Sequence, residues 1–487
     1  MEWTKEMRYR RLEDVSTEML ETIKNNVNSC QWRQSYHIQP PTGLLNDPNG
    51  FSYFNGEYHL FYQWFPLGPV HGLKYWYHTK SKDLVHWENA GIAIKPDHEY
   101  DSHGAYSGSA IVHHDQLYLM YTGNTRNEQW ERHPYQVMAV MNKNGEMIKP
   151  KEPVIADVPT GYTDHFRDPK LWKSGDAFYA VIGAQRENKT GCAVLYKSMN
   201  LTDWTFLGEM KTNLPQFGYM WECPDYFELD GHGVFVFSPQ GLEPEGDYYQ
   251  NIYQSGYLIG QKLDPDTLSF SHGHFNELDR GFDFYAPQTT LANDGRRLLV
   301  GWMGLPELEY PTDKHDWAHC LTLPRELKVE NGKLIQQPVQ ELAALRKNKS
   351  VWKGPISNET LHVFNGVSFE LICEFAENSS EELGIEFRAK DDEKTIVKYD
   401  KRQRKIVLDR SMSGQPAGES FGTKRQCSVR DGNIKFHLFV DTSSVEIFVN
   451  DGEEVFTSRI FPKQTSDEIR FFANEGSVSL IAEKWEI

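Results

Sequence analysis

At 487 residues the chain exceeds what one hydrophobic core usually supports, so two domains are expected. A formal charge of −18 excludes nucleic acid and anionic membrane surfaces as partners, because both require basic patches. The composition is globular, 39% hydrophobic and 25% charged, and the high aromatic share of 13% suits both strand packing and stacking on sugar rings. The first fifteen residues have no apolar core, which predicts a chain without a signal peptide, and no window reaches 18 apolar residues. Six scattered cysteines (Cys30, Cys192, Cys223, Cys320, Cys373, Cys427) lack C-x-x-C spacing and read as free thiols of a cytoplasmic protein, not as a zinc site or disulfide frame.

In chain order, residues 1–35 form an N-terminal extension, with a helix predicted over Arg11–Asn28 on the surface of the first domain. From residue 36 to 335 one unit recurs five times: a polar lead residue, a short aromatic or β-branched run, a tight turn, and a second such run. Asn55-Gly56, His114-Asp115, Gly175-Asp176, Asp230-Gly231 and Asp294-Gly295 mark the hairpin turns. The leads Asp47, Ser107, Asp168, Glu222 and Asp283 are 60, 61, 54 and 61 positions apart. Five small sheets of this length predict an all-β, five-bladed β-propeller, with every lead residue at one end of a central channel. Helical spacing in Val339-Gln-Glu-Leu-Ala-Ala-Leu predicts a linker helix within 336–350. Over 351–487, alternating runs such as Ser368–Phe375 and Val445–Val449, with a turn at Asn450-Asp451-Gly452, predict a C-terminal β-sandwich.

Three carboxylates in repeat-equivalent turns resemble the way a glycosidase gathers its acids. Retaining cleavage of a glycosidic bond needs an ionised carboxylate nucleophile and a carboxylic acid on one sugar. Asp47, between Asn46 and Asn49 in a turn rich in hydrogen-bond donors, suits the nucleophile. Glu222, flanked by Trp221 and Cys223 and facing other carboxylates, suits the acid/base. Taken singly, each acid is an ordinary turn residue; their recurrence is what points to chemistry. Asp283 leads a blade too, and either binds substrate or closes its turn.

The blocks Asn46-Asp-Pro-Asn-Gly50, Phe61-Tyr-Gln63, Tyr106-Ser-Gly-Ser109, Phe166-Arg-Asp-Pro-Lys170 and Trp221-Glu-Cys-Pro224 resemble the signatures of glycoside hydrolase family 32. The resemblance continues through Leu323-Pro-Arg-Glu-Leu327, Val445-Glu-Ile-Phe448 and Phe456-Thr-Ser-Arg459. It implies a retaining β-fructofuranosidase working through a fructosyl-enzyme intermediate on sucrose 6-phosphate or sucrose, with fructan hydrolysis or fructosyl transfer as alternatives. It further implies Asp47 as nucleophile, Glu222 as acid/base and Asp168 as the group holding fructose hydroxyls. Asn46, Gln63, Ser107 and Arg167 would grip the fructosyl unit, and Trp302 would wall the pocket. No metal or cofactor is implied, and the protein would act on small carbohydrates as a monomer or homodimer.

Two departures from the family pattern, Leu44-Leu45 and Tyr75-Trp-Tyr-His78, are expected to alter the side of the pocket that holds the leaving sugar. The segment His71–His78 resembles the sucrose-6-phosphate branch, with His71 and Lys74 as candidate phosphate ligands in an acidic chain. The alternative for Lys74 is a plain surface lysine. His315 and His319 have metal-like spacing only if helical and carry no zincin pattern. A carbohydrate-binding propeller without catalysis, or an inverting hydrolase on a similar scaffold, would reuse much of the same framework.

Overall fold

A computed structural model describes residues 2–487. Five antiparallel sheets follow one another along the chain, with innermost strands Gly43–Phe54, Ala105–His113, Tyr162–Ser174, Met220–Leu229 and Tyr285–Leu291. They are the five blades expected from the repeat. Four hairpins close through the anticipated two-residue turns: Asn55-Gly56, His114-Asp115 and Asp230-Gly231 have φ positive at both residues, and Gly175-Asp176 at Gly175 alone. The ring is latched where Trp317-Ala318, beyond the second strand of blade 5, pairs in parallel with Gly43-Leu44 of blade 1.

Period-2 alternation explains why these strands read as continuous apolar runs. In Leu117–Tyr121 of blade 2, Leu117, Leu119 and Tyr121 pack toward blade 1 with Phe61 and Trp76, while Met120 packs toward blade 3 with Phe166 and Phe178. Likewise Phe235 and Phe237 of blade 4 face blade 3, and Val234 and Val236 face blade 5. Each seam between blades thus holds its own core, and each blade is buried on both faces.

Beyond the propeller, Gln340–Leu345 forms one six-residue 3₁₀ helix, a tighter and shorter element than the predicted linker helix. The C-terminal sheet then begins with Lys347–Asn365, which pairs along its length with Glu468–Glu486. The ten strands wrap around one apolar core that includes Phe369, Phe387, Phe436 and Phe471, the expected β-sandwich. Its junction with the propeller combines buried ion pairs with apolar packing of Phe439, Phe448 and Val455 against Leu321, Leu323 and Leu342. Arg325 is fully buried, pairing with Asp279 at 3.1 Å and Glu446 at 2.7 Å, and His37 bridges Asp441 at 2.8 Å and Glu446 at 3.1 Å.

The N-terminal helix is Thr17–Asn28, capped by Ser16. Its Ile23 and Val27 share a core with Trp317 of the propeller latch and Phe461 of the sandwich, so the helix spans the junction as well as the first domain's surface. A preceding turn, Lys5–Arg8, runs along blade 1, where Leu73 N–H donates to the Arg8 carbonyl at 2.7 Å. Gly72 permits this approach: a Cβ there would lie 2.4 Å from that carbonyl oxygen. No helix among the described residues is long and apolar enough to cross a membrane.

Candidate active site

Every innermost strand carries a one-residue bulge near the same end. The ladder slips between Leu45 and Pro48, Ala105 and Gly108, Arg167 and Lys170, Glu222 and Asp225, and Tyr285 and Gln288. Four of these bulges carry a proline, which has no N–H for the ladder, and the fifth has Gly108. Aligned on these prolines and on Gly108, the preceding residues Asp47, Ser107, Asp168, Cys223 and Ala286 form one ring around the channel. Asn46, Tyr106, Arg167, Glu222 and Tyr285 form the next ring outward, and all five line a cleft of about 390 Å³. Below the bulges the channel narrows to about 10 Å³ among Pro48, Pro169, Pro224 and Pro287, so the cleft ends blind on the carboxylates.

This alignment corrects two lead positions. The repeat equivalent of Asp47 in blade 4 is Cys223, with Glu222 one residue before it, and in blade 5 it is Ala286. Asp283 is buried away from the cleft, where it accepts from Tyr310 Oη at 2.6 Å, Arg410 Nη1 at 2.8 Å and the Arg459 N–H at 2.8 Å. It ties the propeller to the sandwich.

Asp47 is surrounded by donors. Its Oδ2 accepts from Ser107 Oγ at 2.5 Å and Gln63 Nε2 at 3.3 Å, and its Oδ1 from Asn46 Nδ2 at 3.1 Å. Gln63 also donates to Ser107. Burial pushes the Asp47 carboxyl above its ordinary value; hydrogen bonds from Ser107 and Asn46 pull it back, and the charge of Glu222 opposes them. Asp168 sits at a left-handed φ of 67° and accepts from the Cys223 N–H at 3.1 Å. Burial, with Glu222 and Asp47 adding to it, raises its carboxyl to about 7 against the pull of Arg167. The Cys223 thiol donates to Asp47 at 3.5 Å, and burial pushes its pKa up, so it stays a thiol.

Glu222 is held by four hydrogen bonds. Arg167 Nε and Nη2 reach Oε1 at 3.0 and 2.6 Å, while Gln240 Nε2 and Tyr285 Oη reach Oε2 at 2.8 and 2.7 Å. Arg167 in turn donates from Nη1 to His165 Nδ1 at 3.1 Å, and burial lowers that imidazole to about 4. Gln240 and Tyr285 escaped the sequence reading, and Tyr106, though inside a family-like block, was given no role there. The x-Pro pairs at 223–224 and 286–287 were the signal that would have aligned Tyr285 with Glu222.

Trp302, His71 and Lys74 line the cleft. Lys74 is only 3% exposed, not a surface lysine, and donates to Asn46 Oδ1 at 2.7 Å. Burial lowers its ammonium to about 7. Burial likewise keeps His71 neutral, edge-on to Trp302 at 6.0 Å. The family departures are packing changes: Leu44, Leu45 and Tyr75 are core residues, and none of them lines the cleft. His78 stacks on Phe61 and hydrogen-bonds His59 at 2.9 Å, away from the cleft. His315 and His319 share no helix; His319 Nδ1 bonds the Leu45 carbonyl at 3.1 Å.

A blind cleft on a five-bladed propeller, lined by the carboxyl groups of Asp47, Asp168 and Glu222, defines a glycoside hydrolase. Residues 37–338 match the N-terminal domain of glycosyl hydrolases family 32, and residues 341–486 match the C-terminal domain of that family. The chain belongs to glycoside hydrolase family 32. It is 49% identical to a sucrose-6-phosphate hydrolase of Staphylococcus xylosus, covering 100% of this chain and 99% of the relative. It is 43% identical to one of Bacillus subtilis, over 95% of each chain. Among solved structures, a sucrose-6-phosphate hydrolase from Lactobacillus gasseri superposes with a TM-score of 0.94 at 38% identity, covering 100% and 99% of the two chains. A Bombyx mori β-fructofuranosidase does so at 0.83 and 36%, covering 98% and 99%.

Proposed function

We propose that the protein hydrolyses the fructosyl bond of sucrose 6-phosphate with retention, in the cytoplasm. The observation that carries the reading is the donor-ringed Asp47 carboxylate beside Asp168 and Glu222 at the blind end of the cleft. The substrate follows from the relatives named sucrose-6-phosphate hydrolases. Six free thiols with no disulfide among the described residues support a reducing compartment.

In the first step an Asp47 carboxylate oxygen attacks the anomeric carbon of the fructosyl unit. The bond to the bridging oxygen breaks, and Glu222 gives that oxygen its proton, releasing glucose 6-phosphate. In the second step Glu222 takes a proton from water as its oxygen attacks the same carbon. Fructose leaves and Asp47 returns as carboxylate. Ser107, Gln63 and Asn46 hold the nucleophile in one orientation, which contributes by positioning. Asp168, with its carboxyl near 7, can donate to or accept from fructose hydroxyls.

Hydrolysis of sucrose 6-phosphate by the wild type and by Asp47→Asn tests the reading. The wild type should release glucose 6-phosphate and the variant should not. NMR before mutarotation should show the fructose anomer of the substrate's own configuration; the inverted anomer would remove Asp47 as nucleophile. Equal, negligible release by both proteins would leave a binding propeller.

A further inference from the structure

Sucrose 6-phosphate brings a dianionic group into a chain of charge −18, and the cleft needs cations able to meet it. Lys74 serves that need poorly, because its amine is spent on Asn46 and burial lowers it to about 7. Four arginines line the cleft: Arg8, Arg126, Arg132 and Arg167. Arg167 is paired with Glu222. Among the described residues, no carboxylate lies within ion-pair distance of the other three.

Their hydrogen bonding points the same way. Arg8 donates to the backbone carbonyls of His71 at 2.9 Å and Trp3 at 3.3 Å, and Arg126 to that of Trp130 at 3.0 Å. Arg132 donates to no protein group among the described residues, and the Nε atoms of both Arg126 and Arg132 are buried without a partner. A guanidinium nitrogen buried with an unused N–H costs free energy unless a ligand supplies an acceptor.

The three arginines are also held in register. Tyr9, the residue after Arg8, lines the same cleft as Tyr106, Arg126 and Arg132. Its ring meets Trp130 edge-on at 5.1 Å and His103 at 5.7 Å, and Lys5 Nζ caps the Trp130 ring at 3.1 Å. This aromatic cluster fastens the N-terminal segment to the blade-2 hairpin that carries Arg126 and Arg132. Guanidinium forks match phosphate oxygens in pairs, which a lysine point charge does not.

We propose that Arg8, Arg126 and Arg132 form the phosphate subsite, with Arg132 as its principal ligand and the N-terminal turn Lys5–Arg8 as part of the substrate pocket. The proposal rests on the sucrose 6-phosphate reading above. It assigns specificity to a rim built from blade 2 and the N-terminal segment, leaving Lys74 to brace Asn46.

The test is the ratio of kcat/KM for sucrose 6-phosphate to that for sucrose, in the wild type, in Arg8→Met, Arg126→Met, Arg132→Met, Arg132→Lys and the triple methionine variant. One charge-assisted hydrogen bond corresponds to about 10- to 150-fold, so Arg132→Met should lower the ratio by that factor, Arg132→Lys by less, and the triple variant by more. Each variant's sucrose constant reports whether its cleft is still built, so parallel losses on both sugars count against the proposal. A wild-type preference that survives the triple substitution overturns the arginine assignment and leaves the substrate reading standing. Equal wild-type constants for the two sugars overturn both.

Discussion

Lys74→Met separates the two roles a lysine in this cleft can play. Its Nζ lies 2.7 Å from Asn46 Oδ1, and the other end of that amide donates to Asp47 Oδ1 at 3.1 Å. Methionine fills a similar volume but leaves a buried amide oxygen without its donor, a loss of about 1–3 kcal/mol. The amide is then free to turn away from Asp47, so the loss falls on the geometry of the nucleophile. At 1.4 kcal/mol per tenfold, kcat/KM should fall about 5- to 150-fold, by nearly the same factor for sucrose as for sucrose 6-phosphate. Both constants can be read from one coupled assay of fructose release. If sucrose 6-phosphate loses tenfold more than sucrose, Lys74 is a phosphate ligand and the brace is wrong. If neither constant moves, the hydrogen bond to Asn46 does not position Asp47.

Three further outcomes are expected. Glu222→Gln should slow both chemical steps by about 10²- to 10⁴-fold; a substrate whose leaving group needs no proton should restore the first step and azide the second, and failure of both rescues would make Glu222 a binding residue only. His37 is raised to about 9 by its hydrogen bonds to Asp441 and Glu446, which outweigh its burial, so its stabilisation of up to about 3 kcal/mol is fully present below pH 6.5 and lost as pH rises toward 9; denaturant melts of the wild type should weaken across that window, and those of His37→Gln should not. Arg325→Met strands the buried Asp279 and Glu446 without their cation and should cost about 3–5 kcal/mol of stability, read as a lower denaturant midpoint; an unchanged midpoint would mean that water reaches the junction.

The propeller was legible because its rules are local. Two-residue turns with positive φ announce themselves as Asn-Gly or Asp-Gly, and strands buried on both faces announce themselves as unbroken apolar runs such as Val234–Phe237. The linker helix is short for a local reason too: Val339–Leu345 has helical spacing, but the strand from Lys347 takes over after two turns of 3₁₀ helix. What stayed hidden depends on contacts across the chain. Arg8 and Tyr9 lie in a segment with no motif, and only the approach of that segment to Gly72 and Trp130 brings them to the cleft. Arg325, Glu446 and Arg459 stand in blocks that resemble the family, yet nothing in those blocks distinguishes a catalytic motif from a buried junction between domains.

The blade-4 acid shows how a repeat read from polar leads can slip by one residue. Counting from polar leads put Glu222 in line with Asp47 and Asp168, but the proline that follows each of these positions puts Cys223 there. A bulge gives one strand two residues where its neighbour has one, so consecutive side chains can both face the channel instead of alternating across the sheet. That is why Arg167 and Asp168, or Glu222 and Cys223, serve one site together. It also places Glu222 in the outer ring, between Arg167 and Tyr285, while Asp47 and Asp168 lie one level deeper. On the mechanism proposed above, that difference in depth would set the nucleophile and the hydroxyl-binding acid against the fructosyl unit at the floor, and the proton donor against the bridging oxygen one layer above it. The same logic sends the leaving sugar outward, past Tyr106, toward a rim where three arginines have no carboxylate of their own.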